Sequence, residues 1–362
     1  MGTSSTRSLA PYAPVHFDPV TLDVLGDPVP VVDHVMTMAN GAAEFSLSRE
    51  GALAYVVGGP FEILRSLVWV DRHGQEEPIK APPRAYYLPR LSPDGTRLAL
   101  DTRDQESDIW IWEFARQTLR RLTMDPALDW YPVWTPDGGR VMFSSSRAGA
   151  QNLFSQAADN TGTAERLTTS PNFQFPTSIS PDGTRLIFYE NSPKTGPDLR
   201  VLRMDGAKQI EPLVETTFTE HNGEISPDGH WLAYESNESG QFQIHVRPFP
   251  HVESATFQIS TGGGTKPVWA RSGRELFYFD GSNSMTVVPV QTTPTFTYGN
   301  PTRLFDGRYF SGPPGRTYDV SPDGTRFLMI KDGDTANPNV TPASMVIVLN
   351  WSEELKRLVP TR

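Results

Sequence analysis

The residues best suited to chemistry in this chain recur in one short motif. The motif Ser/Thr-Pro-Asp-Gly occurs five times and places an aspartate at the same point of each copy: Asp94, Asp137, Asp182, Asp228 and Asp323. Carboxylates at a fixed spacing could serve acid–base or metal chemistry. Their neighbours favour another role, because proline presets φ, aspartate bonds to its own backbone and glycine accepts positive φ. We therefore interpret the five aspartates as structural turn residues.

The other candidate motifs each lack a residue that their chemistry needs. The sequence has no Gly-x-Ser-x-Gly elbow and no cysteine, which excludes thiol catalysis and thiolate metal sites. The seven histidines never occur at His-x-x-x-His spacing. TGGGTKP at 261–267 lacks the first glycine of a phosphate-binding loop, and DTRDQESD at 101–108 lacks the terminal glutamate of a calcium loop. We predict no catalytic residue, no cofactor and no bound metal.

The spacing of the turns indicates the elements that carry them. Two weaker copies join the five full ones, and the turn glycines are Gly51, Gly95, Gly138, Gly183, Gly229, Gly273 and Gly324. Their successive differences are 44, 43, 45, 46, 44 and 51 residues, and a period near 45 is typical of one four-stranded propeller blade. Apolar runs after each turn indicate strands buried on both faces. We predict an all-β propeller of four-stranded blades, seven in number, or six if the copy at Gly51 is not a full blade.

The two ends of the chain suggest how the ring closes. The last copy provides three strands, including ASMVIVLNW, but no fourth. The segment DPVPVVD at 27–33 resembles a fourth strand, and we expect it to complete the seventh blade, since closure removes exposed sheet edges. The predicted organisation is an N-terminal lead-in over 1–25, a single propeller over 26–350, and a short C-terminal helix or tail over 351–362.

Charge and hydropathy exclude several partners. The formal net charge is −10, so no basic surplus is present to displace counterions from nucleic acid. No apolar run has the length of a signal peptide or a membrane span. We therefore expect a monomer that binds no nucleic acid and does not itself insert into a membrane, and that is cytoplasmic if expressed as written.

The repeats resemble the TolB-like, WD-type propeller repeats of bacteria. Longer stretches, including TGGGTKPVWARSGRELFY at 261–278 and VLNWSEELKRLVPTR at 348–362, resemble the C-terminal propeller of bacterial serine/threonine protein kinases. That resemblance implies an extracytoplasmic location. The sequence departs from this family because it has no Gly-x-Gly-x-x-Gly loop, no His-Arg-Asp loop and no Asp-Phe-Gly. Phosphoryl transfer is therefore assigned to no residue here.

The connections between the fourth strand of one blade and the first strand of the next are long and rich in aromatic residues. They surround the mouth of the channel in a propeller, and loops with aromatics among charges are typical of recognition surfaces. The candidate ligand or partner residues are Tyr87, Asp129, Trp130, Tyr131, Phe175, His221, Lys266 and Arg316. Alternatively, some of these aromatics plug the channel or join neighbouring blades.

We predict a non-catalytic recognition or sensor module that binds a protein or a small ligand at this mouth. The missing catalytic motifs and the propeller period support this hypothesis. Two alternatives stay open, namely a propeller enzyme, such as a hydrolase or lyase, that uses the channel mouth, and a free-standing intracellular scaffold.

Overall fold

The computed structural model describes residues 16–18, 23–25, 31–32, 35, 43–57, 64–104, 107–206, 208–312, 314–333 and 344–358. The chain divides into two compact units, residues 64–333 and residues 1–63 together with 334–362. Among the described residues the larger unit is entirely β-structure, and the smaller one has short strands and a helix.

The first strands in chain order are β1 (His16–Asp18), β2 (Asp23–Leu25), β3 (Phe45–Leu47), β4 (Leu53–Val57), β5 (Arg65–Asp71), β6 (Glu76–Pro78), β7 (Tyr86–Leu91), β8 (Arg97–Thr102), β9 (Ile109–Glu113) and β10 (Thr118–Arg121). They are followed by β11 (Asp129–Trp134), β12 (Arg140–Ser145), β13 (Asn152–Ala157), β14 (Glu165–Arg166), β15 (Gln174–Ile179), β16 (Arg185–Ser192), β17 (Gly196–Arg203), β18 (Ile210–Val214), β19 (Glu220–Ile225) and β20 (Trp231–Ser236). The remaining elements are β21 (Gln243–Pro248), β22 (Phe257–Gln258), β23 (Gly264–Trp269), β24 (Glu275–Asp280), β25 (Met285–Gln291), β26 (Thr297–Tyr298), β27 (Thr302–Phe305), β28 (Tyr318–Val320), β29 (Arg326–Asp332), β30 (Ser344–Val348) and α1 (Trp351–Leu358).

The larger unit contains six antiparallel sheets of at least four strands. The first sheet has the order β28-β29-β5-β6 and so combines strands from both ends of the unit. The second to fifth sheets are β7–β10, β11–β14, β15–β18 and β19–β22, each in chain order, and the sixth is built on β23-β24-β25 with β26 and β27 beside β25. Each of these sheets therefore begins with a strand that follows a long connection and leads into a tight turn.

Hydrogen bonds that involve the first or second strand of each sheet join it to other sheets. The links are Leu91 N–H to Asp319 Oδ2 (2.7 Å), Trp134 Nε1 to the Arg90 carbonyl (2.8 Å), Ser144 Oγ to the Gln174 carbonyl (2.7 Å), Thr177 Oγ1 to the Gly223 carbonyl (2.7 Å), Trp269 Nε1 to the Glu224 carbonyl (3.0 Å) and Tyr318 Oη to the Lys266 carbonyl (2.9 Å). In the order given, these bonds link the second sheet to the first, the third to the second and to the fourth, the fourth to the fifth, the sixth to the fifth, and the first to the sixth. Between the sheets lie apolar clusters, the largest of which packs the sixth sheet on the first.

The strand pairing at the chain ends differs from the sequence expectation. The predicted seventh blade keeps the strands of the last copy together, but β29 pairs with β5 over seven residues and β30 pairs with β4. This predicted pairing is wrong, because the last copy supplies two strands that join two strands of the first copy. Of the segment 27–33, only Val31 and Val32 are described, so its predicted closing role lies mostly outside the described residues.

The tight turns follow the chemistry of their motif. All seven turn glycines have φ between 66° and 80°, a region that side chains with a Cβ disfavour. In the full copies the Ser or Thr hydroxyl donates to the Asp carboxylate, and the N–H two residues beyond the Asp donates to the same oxygen, as at Asp94, Asp137, Asp182, Asp228 and Asp323. These aspartates therefore make local bonds that fix the turn.

We expect Asp182 to titrate well below an ordinary aspartate. Its bond from the Ser180 hydroxyl, followed by that from the Thr184 N–H, lowers its pKa to about 2. A lowered folded-state pKa stabilises the fold above the unfolded-state pKa near 4, and that stabilisation is lost as the pH falls toward 2. Carboxyl NMR titration measures this value. Ser180→Ala should raise the pKa of Asp182. The pKa of Asp323, which is also about 2, should stay unchanged and serves as the control. An ordinary aspartate pKa for Asp182 in the unsubstituted protein would contradict the expectation.

The smaller unit has its own small core. The strands β3, β4 and β30 form a three-stranded sheet, and Leu53 packs with Val32, Val35 and Trp351 of α1. No helix among the described residues is long and apolar enough to span a bilayer.

Candidate functional site

A β-bulge occurs in the first strand of five of the six sheets. The register shifts lie between Tyr86 and Pro89, Trp130 and Val133, Pro176 and Ser178, His221 and Glu224, and Thr265 and Val268. A bulge leaves one residue outside the ladder and redirects its side chain. At three of these bulges a residue other than glycine has positive φ: Tyr131 (59°), Asn222 (50°) and Lys266 (56°). All three lie seven residues before a turn glycine, and strained backbone of this kind is concentrated at functional sites.

Aromatic rings from three sheets meet beside these bulges. The ring centroids of Tyr131 and Phe175 are 4.7 Å apart, those of Phe175 and Tyr189 5.0 Å, and those of Tyr189 and His221 4.8 Å. The Tyr189 hydroxyl donates to the Tyr131 hydroxyl at 3.0 Å. Burial raises the pKa of Tyr131 to about 12 and raises that of Tyr189 well above its usual value. Both phenols therefore keep their protons at neutral pH and can act as hydrogen-bond donors.

A buried carboxylate connects this group to the sixth sheet. Glu235 Oε1 lies 3.6 Å from His221 Nδ1, and Glu235 Oε2 accepts the Lys266 backbone N–H at 2.6 Å. Burial alone would raise the pKa of Glu235, but His221 and Lys266 together lower it. Burial lowers the pKa of Lys266. Glu235 is therefore a fixed negative charge between two residues of neighbouring sheets.

Asn222 is the least satisfied residue of the region. Its side chain is buried, at 3% exposure, and neither Nδ2 nor Oδ1 has a hydrogen-bond partner among the described residues. The adjacent His221 Nδ1 also lacks one. Leaving a buried polar group unpaired costs about 1–3 kcal/mol, so such a group calls for an explanation. We define the mouth cluster as Tyr131, Phe175, Tyr189, His221, Asn222, Glu235 and Lys266.

Two arginines alternate with three aromatic rings beside the mouth cluster. The Arg65 guanidinium lies 3.8 Å from the Phe310 ring centroid and 4.6 Å from that of Tyr87. Arg103 lies 4.0 Å from the Tyr87 centroid and 4.6 Å from that of Trp130. Cation–π contacts of this length stabilise the stack. The rings of Tyr87 and Trp130 therefore already have internal partners.

Four charged residues form a second group, three of them on first strands and the fourth, Arg316, just before β28. Arg316 donates to Glu224 and, at 3.1 Å, to Asp319, and Arg90 donates to the Arg316 carbonyl at 3.4 Å. Burial lowers the pKa of Arg90 to about 9. Burial opposes the charge of Arg316, but Asp319 and Glu224 raise its pKa overall. We call Arg90, Glu224, Arg316 and Asp319 the charge quartet, in which two cations compensate two carboxylates.

The structure separates the predicted site residues into four places. Tyr131, Phe175, His221 and Lys266 belong to the mouth cluster, Tyr87 and Trp130 to the arginine stack, Arg316 to the quartet, and Asp129 to a separate buried ion pair with Arg147 at 2.8 Å. Five of the eight predicted residues are buried: Asp129, Tyr131, Phe175, His221 and Lys266.

The sequence interpretation missed several residues of the site. They are Tyr189, Asn222, Glu235, Arg90, Glu224 and Asp319. One usable signal was present, because the residues seven and five positions before five of the turn glycines, Gly95 to Gly273, lie on the first strands of their sheets. Charged or amide side chains at those positions, where other copies have apolar residues, mark the site.

Known proteins support the assignment of the fold. A protein from Agrobacterium fabrum, Uncharacterized protein Atu1656, is 29% identical over 231 residues, which cover 59% of this chain and 76% of that protein. A solved Agrobacterium tumefaciens structure bearing the TolB name has a TM-score of 0.62 at 20% identity and covers 75% of this chain and 99% of that one. A chain of a nidogen/laminin complex reaches 0.51 at 10% identity, covering 67% and 96%. At these identities the structures show the fold alone.

A family model described as TolB beta propeller domain matches residues 45–229, about half of the chain. The match includes the second to fourth sheets and the four turn motifs from Gly95 to Gly229. The relatives described above include no kinase, and the kinase-propeller resemblance stays a prediction. The repeat, the four-stranded sheets and the family match agree, and the chain belongs to the TolB beta propeller domain family.

Proposed function

We propose that this chain is a non-catalytic recognition propeller that binds a protein or a small ligand through the mouth cluster. The observation that carries the proposal is the buried, unpaired amide of Asn222 on a strained bulge. An amide places a donor and an acceptor side by side, and a ligand group with the complementary pair would satisfy both. The hydrogen bonds formed with the ligand would then remove the cost of the unpaired amide and favour binding.

The charges around Asn222 suit binding better than bond cleavage. The phenols of Tyr131 and Tyr189 are protonated donors, Glu235 is held ionised, and Lys266 is fixed through its backbone. Groups of this kind orient a ligand by hydrogen bonds. A general acid or base would instead need a pKa near the working pH.

We also infer that the larger unit is a ring of six blades, the alternative to the predicted seven. Support comes from the six links between consecutive sheets, the last of which joins Tyr318 of the first sheet to Lys266 of the sixth. The charge quartet then lies across the channel, because Arg316 precedes β28 of the first sheet and Glu224 belongs to β19 of the fifth. A ligand would enter from the side of the mouth cluster.

We expect Asn222→Gly to stabilise the free protein by about 1 kcal/mol, since it removes an unpaired buried amide and relieves a positive φ. The measurement is the free energy of urea unfolding. Asn160→Gly is the matched control, because Asn160 also has positive φ (70°) but is exposed. A loss of stability specific to Asn222→Gly would mean that the amide has a structural partner, and would contradict the proposed role.

Binding itself is tested by thermal unfolding of the full chain with a panel of short peptides and of mono- and oligosaccharides. The expected result is at least one compound that raises the Tm of the unsubstituted protein and of Asn160→Gly, but not of Asn222→Gly. Stabilisation that persists in Asn222→Gly would move the binding site away from the mouth cluster. No shift by any compound would count against ligands of these two classes.

A further inference from the structure

The connection between β27 and β28 lies over the mouth cluster. We call the middle part of this connection, residues 311–312 and 314–315, the strap. Lys266 Nζ donates to the Ser311 carbonyl at 2.6 Å, and the Tyr131 hydroxyl donates to the Pro314 carbonyl. The two donors come from the sixth and third sheets. Two backbone carbonyls of the strap therefore use the donors of the mouth cluster.

The strap also fits closely against the second sheet. A Cβ on Gly315 would lie 2.9 Å from Leu88 Cδ2 and 2.9 Å from Tyr131 Cε1, and Gly315 has φ of +126°. Contacts this short and this φ both require glycine. Phe310, immediately before the strap, anchors it, with its ring centroid 5.1 Å from that of Tyr87 in an edge-on contact. The inner side of the strap is thus shaped to the mouth.

The outer side of the strap is open. Gly312 and Pro314 are exposed, and the described residues of the strap make no backbone–backbone hydrogen bond. Segments with few buried contacts and no ladder bonds open at lower free energy than the sheets they cover. The strap can therefore leave the mouth while the sheets stay folded and the flanking residues Phe310 and Arg316 keep their bonds.

The strap satisfies only part of the mouth cluster. It supplies acceptors to Lys266 and Tyr131, whereas both atoms of the Asn222 amide in the same cluster stay unpaired. An occupant with one further peptide group could pair with the amide as well, since a peptide N–H and C=O match Oδ1 and Nδ2. The strap therefore makes some of the hydrogen bonds that a bound peptide would make, but not those to the Asn222 amide.

We propose that the strap is an autoinhibitory occupant of the mouth, displaced by an extended peptide segment whose carbonyl oxygens take over the same donors. This inference rests on the proposed function. It adds that binding requires opening of the strap. The apparent affinity is therefore the affinity of the open form multiplied by the fraction of molecules that are open. Weakening the strap should then strengthen binding of a peptide that resembles it.

The first test measures opening without any ligand. The chain has no cysteine, so Asn222→Cys supplies a single buried thiol in the mouth cluster. Adding Gly315→Ala should accelerate its reaction with a thiol reagent by about tenfold or more, which corresponds to about 1.4 kcal/mol of closing free energy. Gly149→Ala is the matched control, because Gly149 has φ of +105° with no atom within 4 Å of its Cβ position, and it should leave the rate unchanged.

General unfolding is separated from opening by a second reporter. Ala99 is fully buried in β8, and Ala99→Cys should stay slow to react in the Gly315→Ala background. An unchanged rate at Asn222→Cys, or equal acceleration at both thiols, would overturn the proposal.

The second test measures occupancy with a fluorescein-labelled peptide that copies residues 311–316, Ser-Gly-Pro-Pro-Gly-Arg. Fluorescence anisotropy should show binding about tenfold tighter to full-length Gly315→Ala than to the unsubstituted protein. Faster thiol reaction without tighter peptide binding would refute the autoinhibitory role. The thiol test needs no ligand, so failure of the proposed function leaves its outcome unaffected.

Discussion

Replacing Arg316 with alanine is expected to lower the free energy of unfolding by about 3–5 kcal/mol, because it leaves buried carboxylates without their cation. Arg316 bonds to both Glu224 and Asp319, and the side chains of these three residues are 12%, 13% and 8% exposed. In so little water, the charges of the two carboxylates are poorly screened. Urea unfolding of the full chain measures the loss.

An exposed ion pair provides the control for Arg316→Ala. Arg303 bonds to Asp280 and Asp306, but its side chain is 51% exposed. Arg303→Ala is therefore expected to cost less than about 1 kcal/mol. Equal losses in the two variants would show that the quartet is hydrated, and would contradict its description as a buried charge group.

A rescue variant identifies the cause of the loss. In the Arg316→Ala background, Glu224→Gln removes one of the unpaired charges and should recover about 1–2 kcal/mol. No recovery would assign the loss to the missing packing of the Arg316 stem and would argue against the electrostatic account.

Local features of the fold were predictable from sequence because they depend on neighbouring residues. The residues of the turn motif determine the conformation of the turn, and apolar runs such as Leu98–Leu100 indicate strands buried between sheets. The partner of each strand was less predictable. Because every copy has nearly the same pattern, periodicity cannot tell whether a second strand pairs with the third strand of its own copy or with that of another.

The candidate site was predictable only in part for a related reason. Tyr131 and His221 lie on connections and first strands, which the repeat marks. Tyr189 and Glu235 lie on the second strands of two different sheets, and only the packing of sheet on sheet brings them together. The contacts of the strap could not be predicted from the repeat either, because Lys266 and Tyr131 are far from it in sequence.

The second large effect is expected for Phe327→Ala, which should cost about 3–5 kcal/mol of unfolding free energy. Phe327 is fully buried in β29, and its ring centroid lies 5.0 Å from that of Phe277 and 5.4 Å from that of Phe305. It thus packs the first sheet against the sixth. Phe218→Ala, which removes a 43% exposed ring, is the control and should cost less than about 0.5 kcal/mol.

A disulfide tests the pairing that this packing supports. Ser66 and Lys331 are directly opposed in β5 and β29, so Ser66→Cys with Lys331→Cys should oxidise to one intramolecular bond in this cysteine-free chain. The bond would close a loop of about 265 residues and stabilise the fold by restricting the unfolded chain. If oxidation failed and Phe327→Ala cost no more than its control, β29 would have to pair elsewhere. The last copy could then form a blade of its own, and the count of seven would regain support over six.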